Sequence, residues 1–233
     1  MCTLTYVKRS DGYVITANRD ESPNRSADVL TEYKSSRGEV YYMAREPLHG
    51  GTNLVIGVKG RAMVLLNGAF SPHPFGGTYR RSRGLMVLDS LEYYSMSEFA
   101  DDYAFGGLEP FTMVEFFGQI SEIRWDGKVL HRATYDPDSH HIWASAQLYS
   151  ITAIEKRKHW FRSFLTSQRG DADPEALFEF HRFGGDGDPE NDMVMNRHNL
   201  VRTVSISQLS SIAEEQQVNH MNMLNMSTYE IKL

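Results

Sequence analysis

Short runs rich in Thr, Tyr, Val and Ile, punctuated by glycine-containing turns, recur along this chain and predict antiparallel hairpins. Residues 2–8 and 13–18 are two such runs around Ser10-Asp11-Gly12, and Asp-Gly between β-formers is a strong hairpin signal. Residues 53–58 and 61–66 flank Lys59-Gly60 as a second hairpin. Residues 111–117 and 122–125 read as strands, and Asp126-Gly127 turns into 128–132 as a third. Residues 201–207 form a further Val/Ile/Ser strand, and 218–224 and 228–233 continue the pattern.

Between these runs the hydrophobic period lengthens. Leu85, Met86, Leu88 and Leu91 place a helix over 83–91, and 97–103 reads as a short one. In 151–167, Ile151, Ile154, Trp160, Phe161 and Leu165 alternate with Glu155-Lys156-Arg157-Lys158, an amphipathic helix pattern. Asp173-Pro174 opens another helix through Phe183, with Pro in its first turn and Gly184-Gly185 after its end. Residues 184–199 read as a long polar loop and the segment expected to be most mobile. Adjacent hairpins with helices grouped among them predict an α+β fold of mainly antiparallel sheet covered by helices. With 233 residues and no linker, repeat or low-complexity tract, one domain over 1–233 is expected.

The first hairpin matters because of what sits at its open end. Cys2 is the only cysteine, and a small residue after Met1 permits aminopeptidase removal of Met1. A terminal cysteine would then carry a thiol and an α-amine on one Cα, a nucleophile attached to its own base. The amine titrates near ~7.7–8.0 and a thiol near ~8.5, so the two exchange a proton around neutrality. A two-residue loop at Asp11-Gly12 pairs Cys2 with Glu21; a three-residue loop over 10–12 pairs it with Asp20. Either register brings Cys2 beside Asn18-Arg19-Asp20-Glu21. Composition alone reads that tetrad as a solvated turn. Its chemistry suits a thiol site, since a guanidinium lowers a neighbouring thiol's pKa and a carboxylate holds an α-ammonium.

Charge and composition narrow the partners. Thirty acidic against 24 basic side chains give a net charge of −6, which argues against nucleic acid as the main partner. One cysteine excludes an intramolecular disulfide, and no Cys/His spacing reads as a zinc site. Lys8, Arg9 and Asp11 interrupt any apolar run near the start, and no segment approaches the ~20 apolar residues of a membrane span, so a soluble cytoplasmic chain is expected.

Other motifs carry less. His140-His141 would point to opposite faces of an extended segment and so would not share a metal ion. Asp186, Asp188, Glu190 and Asp192 alternate like the start of a calcium loop, but Pro189 and the missing downstream ligands favour a solvated acidic loop. Gly50-Gly51 and Gly76-Gly77 lack phosphate-loop context, and no cofactor is expected. Asn67 closes its predicted strand before Gly68. It reads as a turn residue or as an amide donor to an oxyanion. Arg202 lies inside a predicted strand, where an arginine ordinarily faces solvent.

Met1-Cys2 followed by Ala17-Asn18-Arg19-Asp20-Glu21 resembles the start of the NRDE family, also called the transport and Golgi organisation protein 2 family. Further matches follow in order: Gly50-Gly51-Thr52, Leu66-Asn67, Arg81-Ser82-Arg83-Gly84, Trp143-Ala144-Ser145-Ala146, Leu148-Tyr149, Lys156-Arg157, Trp160-Phe161 and Arg202-Thr203-Val204-Ser205-Ile206. That family is similar to the N-terminal-nucleophile hydrolases of the penicillin V acylase and bile salt hydrolase branch. The resemblance implies a four-layer αββα sandwich of antiparallel sheets, with Cys2 as nucleophile and Asp20 positioning the α-amine. Arg202 would be the late-strand arginine near the thiol, and Asn67 the oxyanion-side asparagine. Two departures stand out. In those acylases the arginine precedes the aspartate by several residues, whereas Arg19 adjoins Asp20. Some relatives place an asparagine where Ala146 follows Ser145.

The expected function is therefore a cysteine amidohydrolase acting on a small-molecule amide, with Cys2, Asp20, Asn67, Arg202, Arg19 and Asn18 as its site and no metal. Tyr6, Phe70, Phe75 and Tyr79 are candidates for an apolar acyl pocket, although core packing is the commoner fate of such side chains. The alternatives are a non-enzymatic carrier of haem or another hydrophobic ligand on the same fold, and an inactive structural member.

Overall fold

Alternation along the chain resolves into paired strands in the computed structural model, which describes residues 2–27, 29–74, 76–168 and 171–233. In chain order, β1 (Cys2–Arg9) and β2 (Gly12–Glu21) are followed by β3 (Thr31–Lys34), β4 (Val40–Met43), β5 (Leu54–Gly57) and β6 (Ala62–Asn67). Helices α1 (Arg83–Ser90) and α2 (Met96–Asp102) precede β7 (Phe111–Phe117), β8 (Gln119–Trp125), β9 (Leu130–Tyr135) and β10 (His141–Ala144). Then come α3 (Ile151–Ser167), α4 (Pro174–Phe183), β11 (Asn196–Arg197), β12 (Val201–Ile212), β13 (Glu215–Asn222) and β14 (Thr228–Lys232). Ser82, Ser95, Ser150 and Asp173 cap the four α-helices, each accepting a hydrogen bond from a first-turn backbone N–H.

The chain divides into two compact units, one from residues 1–29, 138–144 and 149–233, the other from 30–137 and 145–148. The first holds a sheet ordered β10-β1-β2-β12-β13-β14, with β11 paired to β12. Val7 and Val14 on its strands pack with Phe161 of α3, Leu177 of α4 and Ala172 between them. The second holds the sheet β3-β4-β5-β6-β7-β8-β9. Met63, Leu65, Phe111, Met113, Ile123 and Trp125 form its core with α1 and α2 residues such as Met86, Val87 and Phe99. A buried Arg61–Glu115 pair (2.7 Å) ties α2 to this sheet, because Glu115 also accepts from Met96 N at 3.1 Å. Every strand pairing among the described residues is antiparallel. No helix among them is long and apolar enough to cross a membrane.

The hairpins over 2–18, 53–66 and 122–132 form, but the first has neither expected register. Its two-residue loop is Ser10-Asp11: Arg9 pairs with Gly12, and Cys2 pairs with Arg19. Gly12 belongs to the strand because β12 passes it closely. A Cβ there would lie 1.9 Å from the Ser211 carbonyl oxygen. The neighbouring strand therefore sets the register. Strands β3, β4 and β10 were not anticipated, and β12 runs five residues past its expected end at Ser207. The 184–199 loop is less purely polar than expected: Met193 and Met195 are buried, and the Asp192 carboxylate accepts from the N–H groups of Asp186 and Gly187.

Gly12→Ala is expected to lower stability by roughly 2–3 kcal/mol through overpacking against the Ser211 backbone. Gly106→Ala, where an added Cβ meets nothing within 4 Å, should be near neutral. Urea unfolding of the two variants compares them directly.

Candidate active site

Residues paired across an antiparallel sheet share a face, so the register builds a row. Cys2 opposes Arg19, Arg19 opposes Ser205, and Ser205 opposes Asn222. All four are buried, Cys2 completely. The row depends on a bulge in β12. Thr203 pairs with Asp20 and Ser205 with Arg19, which leaves Val204 as the extra residue. In an unbulged strand Thr203 and Ser205 would share a face. Here each follows its own partner on β2, to opposite faces. Arg202 pairs with Glu21 and so lies on the Cys2 face. Its Nε is buried and has no hydrogen-bond partner among the described residues. The Glu21 carboxylate engages Arg25 and the Ser22 N–H, both at 3.0 Å.

Asp20 faces the other way, onto the helix side, and is fully buried. Thr203 donates its hydroxyl to Oδ1 at 2.7 Å and Tyr149 donates to Oδ2 at 2.5 Å. Burial raises the Asp20 carboxyl above its ordinary range; the Arg157 charge and the two hydroxyl donors pull it back. Burial pushes the Tyr149 hydroxyl well above its ordinary value, so it remains a neutral donor. Arg157 is fully buried, with its guanidinium 3.8 Å over the Tyr149 ring. It donates to Thr3 Oγ1, to the Asn191 carbonyl at 3.1 Å and to the Asp192 carbonyl.

Asn18 shares the Asp20 face and is committed to scaffolding. Its Nδ2 donates to the carbonyls of His181 (3.0 Å) and Met193 (2.7 Å). That orientation leaves Oδ1 to accept from His181 Nδ1 at 2.5 Å, so Nε2 accepts from the Thr5 hydroxyl at 2.8 Å. Burial, reinforced by the Arg157 charge, pushes His181 down to about 3. It is a neutral imidazole in the folded protein.

Asn67 lies in the other unit, half-buried at the end of β6. Its backbone carbonyl accepts from Ser145 Oγ at 2.7 Å and from the Gln147 N–H at 3.2 Å. Gly68 follows at φ 82°, and a Cβ there would lie 2.6 Å from Gln147 N, so the corner requires glycine. Ala146 is buried in the same segment. Of the expected acyl-pocket residues, Tyr6 is buried, Tyr79 half-buried and Phe70 58% exposed, while Phe75 lies outside the described residues. Among the described residues no cluster of three or more His, Cys, Asp and Glu is placed to hold a metal ion.

The structure thus brings Cys2, Arg19 and Arg202 to one face of β1, β2 and β12, and Asp20 and Asn18 to the other. Sequence reasoning assigned no role to Tyr149, Arg157, Thr203 or Ser205. For Arg157 a signal existed: Ala153, Arg157 and Phe161 are spaced i, i+4, i+8 and form the buried stripe of α3. Ile151, read as part of the apolar face, is 81% exposed.

No family model matches this chain, and no curated protein matches it in sequence. Solved structures do match. A conjugated bile acid hydrolase from Clostridium perfringens, in a variant with its second-position cysteine changed to alanine, is 10% identical with a TM-score of 0.62, over 100% of this chain and 92% of that one. Penicillin V acylase from Agrobacterium tumefaciens is 11% identical with a TM-score of 0.58, over 100% and 86%. The Caenorhabditis elegans ortholog of N-acylethanolamine-hydrolyzing acid amidase is 15% identical with a TM-score of 0.58, over 91% and 93%. The likeness shows the fold, the α+β, mainly antiparallel type of the N-terminal-nucleophile hydrolases.

Two outcomes follow from the buried charges. Arg157→Met should destabilise the protein by roughly 3–5 kcal/mol, since it removes the buried charge that offsets Asp20 and the donors to Thr3, Asn191 and Asp192. Adding Asp20→Asn should recover part of that loss in a double-mutant cycle read by urea unfolding. Below pH 6.5 the unfolded chain protonates His181 while the folded chain resists until about pH 3. Stability is therefore complete above pH 6.5 and falls on acidification, by up to about 1.4 kcal/mol per pH unit from this group. His181→Gln should flatten the stability profile between pH 6.5 and 4.

Proposed function

We propose that this chain is an N-terminal-nucleophile cysteine hydrolase that cleaves a small-molecule amide through an acyl-thioester on Cys2. The observation that carries the reading is the pairing of Cys2 with Arg19, next to the buried Asp20 carboxylate. The pairing occurs in a fold shared with a bile acid hydrolase, a penicillin V acylase and an acid amidase. The bile acid hydrolase variant supports it further, because the cysteine replaced there is numbered second in its chain, as Cys2 is here. The ordered resemblance to the NRDE family, from Asn18-Arg19-Asp20-Glu21 to Arg202-Thr203, supports the same assignment.

In this reading an aminopeptidase removes Met1 and exposes the Cys2 α-amine. The amine takes the thiol proton, and Sγ attacks the amide carbonyl carbon, forming a C–S bond and an oxyanion. As the C–N bond breaks, the α-ammonium returns its proton to the leaving nitrogen. Water then gives a proton to the amine and adds to the thioester, and loss of the C–S bond releases the acid and restores the thiol. Arg19 and Arg202, on the thiol's face of the sheet, favour the thiolate. Asp20, on the opposite face, holds the α-ammonium. The oxyanion donor is the Asn67 amide, a contribution of ~3 kcal/mol for such a group, and this assignment rests on the resemblance. Ala146 offers no side-chain donor.

Intact mass should show a chain lacking Met1, and a small electrophile should label Cys2 rapidly near pH 7. Asp20→Asn should slow that labelling by about a hundredfold, the scale of a lost acid–base partner, and Cys2→Ala should abolish hydrolysis across a panel of acyl amides. Hydrolysis by a chain that retains Met1, or by Cys2→Ala, would sink the assignment.

A further inference from the structure

We infer that Tyr149 and Thr203 are positioning residues for this proposed reaction: their hydroxyls hold the Asp20 carboxylate ionised and in one orientation, from the face opposite the thiol, ready to engage the Cys2 α-ammonium. The inference rests on the reading of Cys2 as nucleophile.

The surroundings of Asp20 support it. Each carboxylate oxygen receives one hydroxyl donor, at 2.7 Å from Thr203 and 2.5 Å from Tyr149, so neither oxygen can rotate away without losing a bond. An ionised carboxylate only accepts, and donors at this distance favour the anion over the acid. The β12 bulge at Val204 turns Thr203 toward Asp20 while Ser205 stays opposite Arg19. Bulges of this kind re-aim a side chain and are frequent beside active sites. Lastly, the compensating charge is held at one remove. Arg157 of α3 stacks over the Tyr149 ring at 3.8 Å, with Arg197 of β11 at 5.7 Å from the same ring. The Tyr149 ring thus meets the guanidinium groups while its hydroxyl meets Asp20, and among the described residues that carboxylate has no salt bridge. His181 of α4, on the same face, is engaged by Asn18 and Thr5 and is neutral, and Arg9, at the far end of β1, is engaged by Asp11 and the Ala172 carbonyl.

The test is the pH profile of Cys2 labelling and of amide hydrolysis, measured on the processed full chain. Loss of either hydroxyl weakens the anionic form of Asp20, so Tyr149→Phe and Thr203→Val should each move the acid limb upward by about one pH unit. Thr203→Ser, which keeps the donor, should restore the wild-type limb; a merely structural contact would change stability or amplitude and leave the limb in place. If Tyr149→Phe does not fold, the Thr203 pair alone decides. Wild-type labelling that depends on Asp20, with a limb unmoved in Thr203→Val, overturns this inference and leaves the hydrolase reading standing. Absence of Asp20-dependent labelling in the wild type removes both.

Discussion

A carboxylate with no access to water, Asp20, organises the sheet of the first unit. Taking such a charge out of solvent costs several kcal/mol unless it is met by donors and an opposite charge. Here Thr203 and Tyr149 provide the donors, and Arg157 the charge. Arg157 is buried in turn and must be satisfied, so it reaches Thr3 on β1 and the backbone carbonyls of Asn191 and Asp192. One buried carboxyl group thus ties β1, β2, β12, α3 and the loop after α4 into a single polar network. Its members cannot be exchanged one at a time without leaving a partner unsatisfied.

The same constraint explains why β1 and β2 are buried on both faces yet are not apolar throughout. On the helix side Thr3, Thr5, Thr16, Asn18 and Asp20 are buried and polar. Asn18 fixes the His181 tautomer, and Gln208 joins Thr16 to the Pro174 carbonyl at the start of α4. On the other face Cys2, Arg19 and Ser205 form a row that includes a buried cation. A strand separating a thiol face from a carboxylate face lets the proposed nucleophile and the proposed amine support be tuned independently. Arg19 and Arg202 lie on the thiol's face of the sheet, and hydroxyls bond the carboxylate.

Identities of 10–15% with hydrolases of the same fold fit this picture. An antiparallel sheet constrains which positions are buried and which residues face one another, and many side-chain sets satisfy those demands. Fold persists where residue identity does not. The chemistry must therefore be argued from this chain's own residues.

The signals legible along the chain were local. Alternation and Asp-Gly or Lys-Gly turns marked the hairpins, and a 3.6-residue period, with Asp173-Pro174 at one start, marked the helices, because each signal is generated within a few residues. The meeting of Cys2 with Asn18-Arg19-Asp20-Glu21 was also legible, since a hairpin leaves little choice about which ends adjoin. Strands β3, β4 and β10 were missed because four residues are too few to display a period. The hairpin register, the partners of Arg157 and the partners of Asp20 arose only when distant segments met in the fold. Gly12 is held in its strand by Ser211, and Arg157 turns inward from a run of charged neighbours to reach Tyr149, Thr3 and the 191–192 carbonyls. Thr203 meets Asp20 because Val204 is left out of the pairing. Each of these outcomes is a close approach between segments distant in the chain, and periodicity within one segment carries no record of what another brings against it.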